Sequence, residues 1–252
     1  PRGYTHNPGS AMSSFGNGGL SASPPPEAFL PSLEALMRAW DPQRGIGFAS
    51  GYQARDADET AIVTDVLARF GRARDLTALL HYEEESHFRC FDLEANPSVS
   101  ANIHVLGALH QAGLPFSHRA VQKVLRFMER MQARQGLWFD KWHASPYYAT
   151  AHAVIACLEY APTMAEAAVR WILHTQHGDG SWGYYLPTAE ETAYCLQALG
   201  LWRRRHGPDW WVDLALHLVI DALVRIEAIG MIGRLHLAGD MALVIGQIEP
   251  GD

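Results

Sequence analysis

The spacing Gln-x-x-x-Gly-x-Trp occurs twice in this chain, as Gln132–Gly136–Trp138 and as Gln176–Gly180–Trp182. An apolar helical stretch precedes each copy and another follows it. Glycine lets the chain turn where a side chain would clash. Tryptophan buries a large ring and brings one N–H that needs a partner. A turn of this kind, repeated between helix pairs, points to a helical repeat protein.

Four further segments share a theme: Glu59–Leu67, Ala101–Leu109, Thr150–Leu158 and Glu191–Leu199. Aligned on their last leucines, they fall 42, 49 and 41 residues apart. Between them, amphipathic spacing predicts helices such as Arg119–Arg134 and Ala165–Gln176. No stretch alternates as a strand would. The expected fold is all-α, an α/α-toroid of helix pairs with one ring of helices around a central cavity. An ordinary helical bundle is the plainer alternative, and the regular spacing disfavours it. Residues 1–26, rich in Gly, Ser, Pro and Asn, read as a loosely structured lead-in, and 27–252 as a single toroid domain.

Of the 252 residues, 48% are apolar and 19% charged, which suits an ordered globular protein. A net charge of −7 argues against nucleic acid as a partner. The basic run Arg203–His206 reads as a solvated helix end. Cys90, Cys157 and Cys195 show no CxxC pairing, and the latter two read as small buried residues. Charges interrupt the apolar tail from Trp210 to Ile248, so it reads as core helices and not as a membrane span. With no signal sequence at the start, the expected compartment is the cytoplasm.

Each of the four segments begins with polar residues: Asp58 and Glu59, Asn102 with His104, Tyr147 and Tyr148, Glu190 and Glu191. If the helices run the same way around a ring, these starts converge at one mouth of the cavity. Asp56-Ala57-Asp58-Glu59 places three carboxylates at a helix start. Capping accounts for them most simply, with Asp56 as N-cap and the acids complementing the dipole. Burial and like charges nearby would raise a carboxyl pKa and keep one proton in place. A dry, neutral carboxylic acid is what protonating a carbon–carbon double bond requires.

With these residues in view, the stretch from Gly45 to Trp202 resembles the β domain of class II diterpene cyclases, the halimadienyl and ent-copalyl diphosphate synthases among them. These are proton-initiated relatives of the squalene–hopene cyclases. The matching residues are Asp56 to Thr60, Pro97 to Leu109, Asp140 to Thr150 and Thr188 to Leu199, in order. The resemblance implies that Asp58 is the general acid, Asp56 the first acid of its motif and Glu59 the third. It implies that Asn102 and His104 hydrogen-bond near the acid. Phe48 falls where relatives carry a tryptophan facing a carbocation, and an aromatic face stabilises a cation. Trp142, Tyr147, Tyr148 and Tyr194 are further candidates for the cavity wall, with core packing as the alternative for each. Lys141 would meet the substrate diphosphate or pair with Asp140.

The implied reaction converts geranylgeranyl diphosphate to a bicyclic prenyl diphosphate such as copalyl or halimadienyl diphosphate. Mg2+ would be bound together with the substrate diphosphate. Two departures stand out: Glu59 replaces an aspartate, and residues 1–40 are too few for the γ domain that these enzymes pair with the β domain. The expectation is therefore either a split cyclase that needs a γ-domain subunit or homo-oligomer, or an inactive β-domain scaffold. A protein prenyltransferase β-subunit, which shares the toroid, would need Zn ligands that the three cysteines do not supply. No metal-ligand set is read, and neither a Gly-x-Ser-x-Gly elbow nor a P-loop is present. Among the thirteen histidines, His152 lies on an apolar face and reads as a satisfied core residue.

Overall fold

A computed structural model of the chain describes residues 27–48, 54–73 and 75–228. After a short 3-10 turn at Glu27–Phe29, the helices are α1 (Leu30–Ala39), α2 (Ala57–Arg69), α3 (Thr77–Leu80), α4 (Val99–Gln111) and α5 (Arg119–Met131). They continue as α6 (Pro146–Cys157), α7 (Pro162–His174), α8 (Ala189–His206) and α9 (Trp210–Ala228). Among the described residues β-structure is limited to isolated bridges. The proposed lead-in, residues 1–26, lies outside the described residues, as does the end of the apolar tail.

Helices α2, α4, α6 and α8 lie side by side, and α5, α7 and α9 pack along the outside. The chain has the α/α-toroid architecture of helix pairs. Inner helices are nearly apolar all round because they are covered on two sides; α4 and α6 bury alanine after alanine. The outer helix α5 is amphipathic and buries only one stripe, from Ala120 to Met128. It ends at Met131, not at Arg134, because Gln132 turns extended with ψ 123°. Helix α7 begins earlier than its periodicity suggests, at Pro162, whose fixed φ suits a first turn.

The two Gln–Gly–Trp turns are built alike. Trp138 and Trp182 are fully buried. Their indole N–H groups donate to Met128 O at 2.8 Å and Ile172 O at 2.7 Å. Those carbonyls belong to the last turns of α5 and α7, where each also accepts from the C-cap backbone, Gln132 N at 2.9 Å and Thr175 N at 3.2 Å. Gln132 Nε2 donates to Gly136 O and Met164 O, and Gln176 Nε2 to Gly180 O and Ala215 O. Each glutamine thus ties its own turn to the next outer helix. Gly136 has φ +96°, and a β-carbon there would lie 2.4 Å from Ala167 O of α7. Gly180 repeats this with φ +88° and a 2.3 Å approach to Leu218 O of α9.

A second repeated device fixes each inner helix. Thr150 Oγ1 accepts from Trp138 N at 3.0 Å and donates to Trp138 O at 3.4 Å. Thr192 does the same for Trp182, at 3.0 and 3.3 Å. Thr60 does it for Ile46, at 3.0 and 3.1 Å. Asn102 does it for Phe88, its Oδ1 accepting from Phe88 N and its Nδ2 donating to Phe88 O, both at 2.8 Å. These four clamps at 60, 102, 150 and 192 give the true repeat register, with spacings of 42, 48 and 42. Alignment on last leucines slipped by one in α6: the equivalent of Leu67, Leu109 and Leu199 is the fully buried Cys157, not Leu158.

Candidate active site

The carboxylate cluster starts α2. Asp56 is extended, with φ −145° and ψ 163°, and its side chain accepts from Glu59 N at 2.8 Å, so it is the N-cap. Its own N–H donates to Ile46 O, and Ala57 N donates to Cys90 O at 2.7 Å, fastening the helix start to two loops. Asp58 and Glu59 occupy the first turn. Burial, and then the neighbouring charge of Asp58, raise the Asp56 carboxyl, while the Glu59 N–H opposes them. Burial pushes Glu59 up to about 7, and the charges of Asp56 and Asp58 add to it. Three crowded carboxylates at one helix end favour keeping a proton toward neutral pH, a property of the cluster and not of one acid.

Clamp register explains which side chains meet. Two residues before each clamp stand Asp58, Ser100, Tyr148 and Glu190; two residues after stand Ile62, His104, His152 and Tyr194. Positions four apart share one helix face. On α6, Tyr148 and His152 stack with ring centroids 4.2 Å apart. On α8, the Tyr194 hydroxyl donates to Glu190. Across helices, His104 Nδ1 lies 2.6 Å from Asp58 Oδ1, and Tyr194 meets Tyr148 edge-on at 5.2 Å. The other edge of His104 faces two groups, His152 Nδ1 at 3.2 Å and the Tyr148 hydroxyl at 3.3 Å. His143, from the turn before α6, stacks on Tyr148 at 3.9 Å. A file of acid, imidazole and phenol thus runs across four inner helices.

Electrostatics vary along the file. Burial pushes the His152 imidazole down to about 4, with the charges on His104 and His143 acting in the same sense. Burial lifts the Tyr148 phenol to about 12, and the acids of α2 add to it. The Asp58 side chain is 26% exposed and His104 9%. The carboxyl therefore sits at the open end of the file, and not in the dry enclosure that its chemistry leads one to expect.

Several expected site residues have other work. Asn102 is fully buried, and its amide is spent on Phe88 and on Ser98 O; it is the α4 clamp, in the place threonine takes elsewhere, and not a partner of the acid. Tyr147 points away from Tyr148, as the 100° step between consecutive helical residues requires. Its hydroxyl donates to Thr175 O, and its ring lies 4.8 Å from Trp171. There it lines a separate cleft of about 480 Å³ with Phe139, His177 and Tyr184. Lys141 does not pair with Asp140. Its ammonium donates to Glu94 and to Asn96 O and lies 5.0 Å from the Trp142 ring. Asp140 instead accepts from Ser98 Oγ and from the N–H groups of Val99, Ser100 and Trp142, capping α4 from outside the helix. Those bonds hold its carboxyl below its ordinary value against the effect of burial. Glu191 N donates to the N-cap Thr188 Oγ1, whose hydroxyl donates back to the Glu191 carboxylate, so Glu191 serves the start of α8. Phe48 and Trp142 are exposed, and Trp142 leans on Phe91 at 6.0 Å.

His152, expected as a satisfied core residue, is largely buried and satisfied by His104 and Tyr148, and this places it in the file beside the acid. Read alone, it is a histidine on an apolar face. Its place in the repeat, equivalent to His104, was the signal.

Comparison with known proteins identifies the fold and the family. The squalene–hopene cyclase C-terminal domain family matches residues 87–199. A type B diterpene cyclase of Mycobacterium tuberculosis is 45% identical over 183 residues, 71% of this chain and 36% of that protein. The chain belongs to the squalene–hopene cyclase superfamily, on its class II diterpene cyclase branch. An ent-copalyl diphosphate synthase of a Streptomyces species is 40% identical over 66% of this chain and 33% of its own length. Among solved structures, ent-copalyl diphosphate synthase from Streptomyces platensis superposes with a TM-score of 0.69 at 35% identity, over 77% of this chain and 39% of that one. A type II terpene cyclase from Scytonema, at 19% identity and TM-score 0.62, shares the fold. The chain spans about a third of the length of these curated relatives. No described helix is long and apolar enough to cross a membrane.

Proposed function

We propose that this chain is the proton-delivering helical domain of a class II diterpene cyclase, with Asp58 as general acid. The 2.6 Å contact between Asp58 and His104 carries the reading. A carboxyl that accepts a hydrogen bond from imidazole gives up its proton more readily, because the same N–H stabilises the carboxylate left behind. The proton passes from Asp58 to the terminal double bond of a prenyl diphosphate, with geranylgeranyl diphosphate as the substrate suggested by the relatives' names. The double bond becomes a tertiary carbocation, and ring closure follows. The diphosphate stays attached, so the product is a bicyclic diphosphate of the copalyl or halimadienyl kind. Tyr148 is sandwiched between His143 and His152 and has no open ring face for a cation; Tyr194, which meets it edge-on, is the aromatic ring left to face one.

Neighbouring carboxylates support the acid. Asp56 and Glu59 are both shifted toward the protonated form, Glu59 to about 7, which lessens the negative charge beside Asp58. Among the described residues no group of three His, Cys, Asp or Glu side chains would hold Mg2+ by itself.

The open acid favours one further element of this reading. Asp58 is a quarter exposed, and a carbocation survives only where water is excluded. A cover over this mouth, from a γ-type domain, a partner subunit or a second copy, would complete the site. A non-catalytic scaffold is the competing reading.

The test is incubation of the purified chain with geranylgeranyl diphosphate and Mg2+, alone and with a γ-domain protein, followed by dephosphorylation and mass spectrometry. Formation of a bicyclic alcohol that vanishes in Asp58→Asn supports the proposal. No cyclic product under either condition, with a stable complex by light scattering, leaves the scaffold.

A further inference from the structure

His152 takes no part in the reaction as outlined, yet its position is closely defined. It stands one repeat after His104, and its Nδ1 faces His104 Nε2 at 3.2 Å, on the edge of the ring opposite Asp58. The stack with Tyr148 at 24° and an edge contact from Tyr194 at 5.7 Å fix the plane of the His152 ring from α6 and α8. The titratable groups around it are Asp58 from α2, His104 from α4, His143 from the turn before α6, Tyr148 from α6 and Tyr194 from α8, whose hydroxyl is held by Glu190.

A neutral imidazole carries one proton on two nitrogens, and the hydrogen bond made at one nitrogen decides which of them holds it. With its proton on Nδ1, His104 donates to Asp58 Oδ1 and leaves the acid free to deliver its own proton from Oδ2. With its proton on Nε2, His104 accepts from Asp58 and holds that proton back. We propose that His152 is a positioning residue for proton delivery, its Nδ1–H donating to His104 Nε2 and thereby keeping the His104 proton on Nδ1, directed at Asp58. Burial keeps His152 neutral at pH 7, so it remains a donor that adds no second positive charge to the cluster. The Tyr148 hydroxyl, 3.3 Å from the same His104 nitrogen, is a second donor and reinforces the same tautomer.

The kinetic consequence rests on the cyclase reading, but the tautomer does not. Two measurements on the full chain separate them. The first is 15N NMR of histidine-labelled protein at pH 7, with His104 assigned by its loss in His104→Phe. The expected wild-type signal has a protonated Nδ1 and an accepting Nε2, and His152→Phe shifts it toward the other tautomer. A wild-type His104 with its proton on Nε2, or a tautomer untouched in a folded His152→Phe, overturns the proposal whether or not the chain turns over substrate. The second measurement is turnover. His152→Asn keeps a donor near the place of Nδ1 and should stay within a few fold of wild type. His152→Gln moves the donor to the place of Nε2, and His152→Phe removes it; both should lose kcat by about 10- to 100-fold with KM unchanged, the range typical of orienting partners. Equal rates for Asn, Gln and Phe overturn the proposal. If wild type shows the expected tautomer but no turnover, the positioning stands and the cyclase reading falls.

Discussion

Asp58 Oδ1 and His104 Nδ1 approach to 2.6 Å across α2 and α4, although 46 residues separate them in the chain. The contact exists because both residues stand two places from a clamp, Asp58 before Thr60 and His104 after Asn102. Adjacent inner helices are set by the same clamp at nearly the same height. Their ±2 positions then meet, as Tyr148 and Tyr194 also do between α6 and α8.

Removing the acid should stop the chemistry and spare the fold. Asp58 is partly exposed and caps nothing, so Asp58→Asn should melt within a few degrees of wild type. Its product yield should fall by about 10³-fold, the scale of general-acid catalysis. Calorimetry and product analysis on the same preparation check this; undiminished turnover would remove Asp58 from the mechanism.

Glu59 should make stability depend on pH. Its folded value, about 7, lies above the ordinary 4.5, so between these the fold holds a proton that the unfolded chain has lost. Stability from this group is present at low pH and declines as pH rises through 7. His152 acts in the opposite sense: its folded value, about 4, lies below 6.5, so stability is lost as pH falls from 6.5 toward 4. Glu59→Gln should therefore gain on wild type in urea melts at pH 8 more than at pH 5. An equal difference at both pH values would contradict the shift.

Asn102 should prove structural. Asn102→Ala leaves Phe88 N–H, Phe88 O and Ser98 O without their partner in a dry interior, at about 1–3 kcal/mol for each group left unsatisfied. Thermal denaturation should show a large drop, with Asn102→Thr recovering part of it because threonine fills the same place in three other helices. A variant of normal stability but no activity would return Asn102 to the acid's neighbourhood.

The glutamine–tryptophan turns should bear much of the stability. Trp138→Ala empties a fully buried site and removes the indole hydrogen bond to Met128 O, so a loss of about 3–5 kcal/mol is expected. Gly136→Ala should also destabilise, since its β-carbon meets the α7 backbone at 2.4 Å and its φ is positive. Chemical denaturation of both variants measures this, and a neutral Gly136→Ala would show that α7 can move aside.

The sequence by itself determined the helical repeat, the two Gly–Trp turns and the N-cap at Asp56. All of these depend on chemistry within a few residues: a positive φ, a carboxylate beside free N–H groups, an apolar run. Only tertiary structure decided the register of α6, the clamp role of Asn102, the Glu94 partner of Lys141 and the place of His152 in the file beside the acid. Each of those turns on which helix face meets which neighbour, and a one-residue slip rotates a side chain by about 100°. Local chemistry places a residue on a helix, but only the packed neighbours decide what it touches.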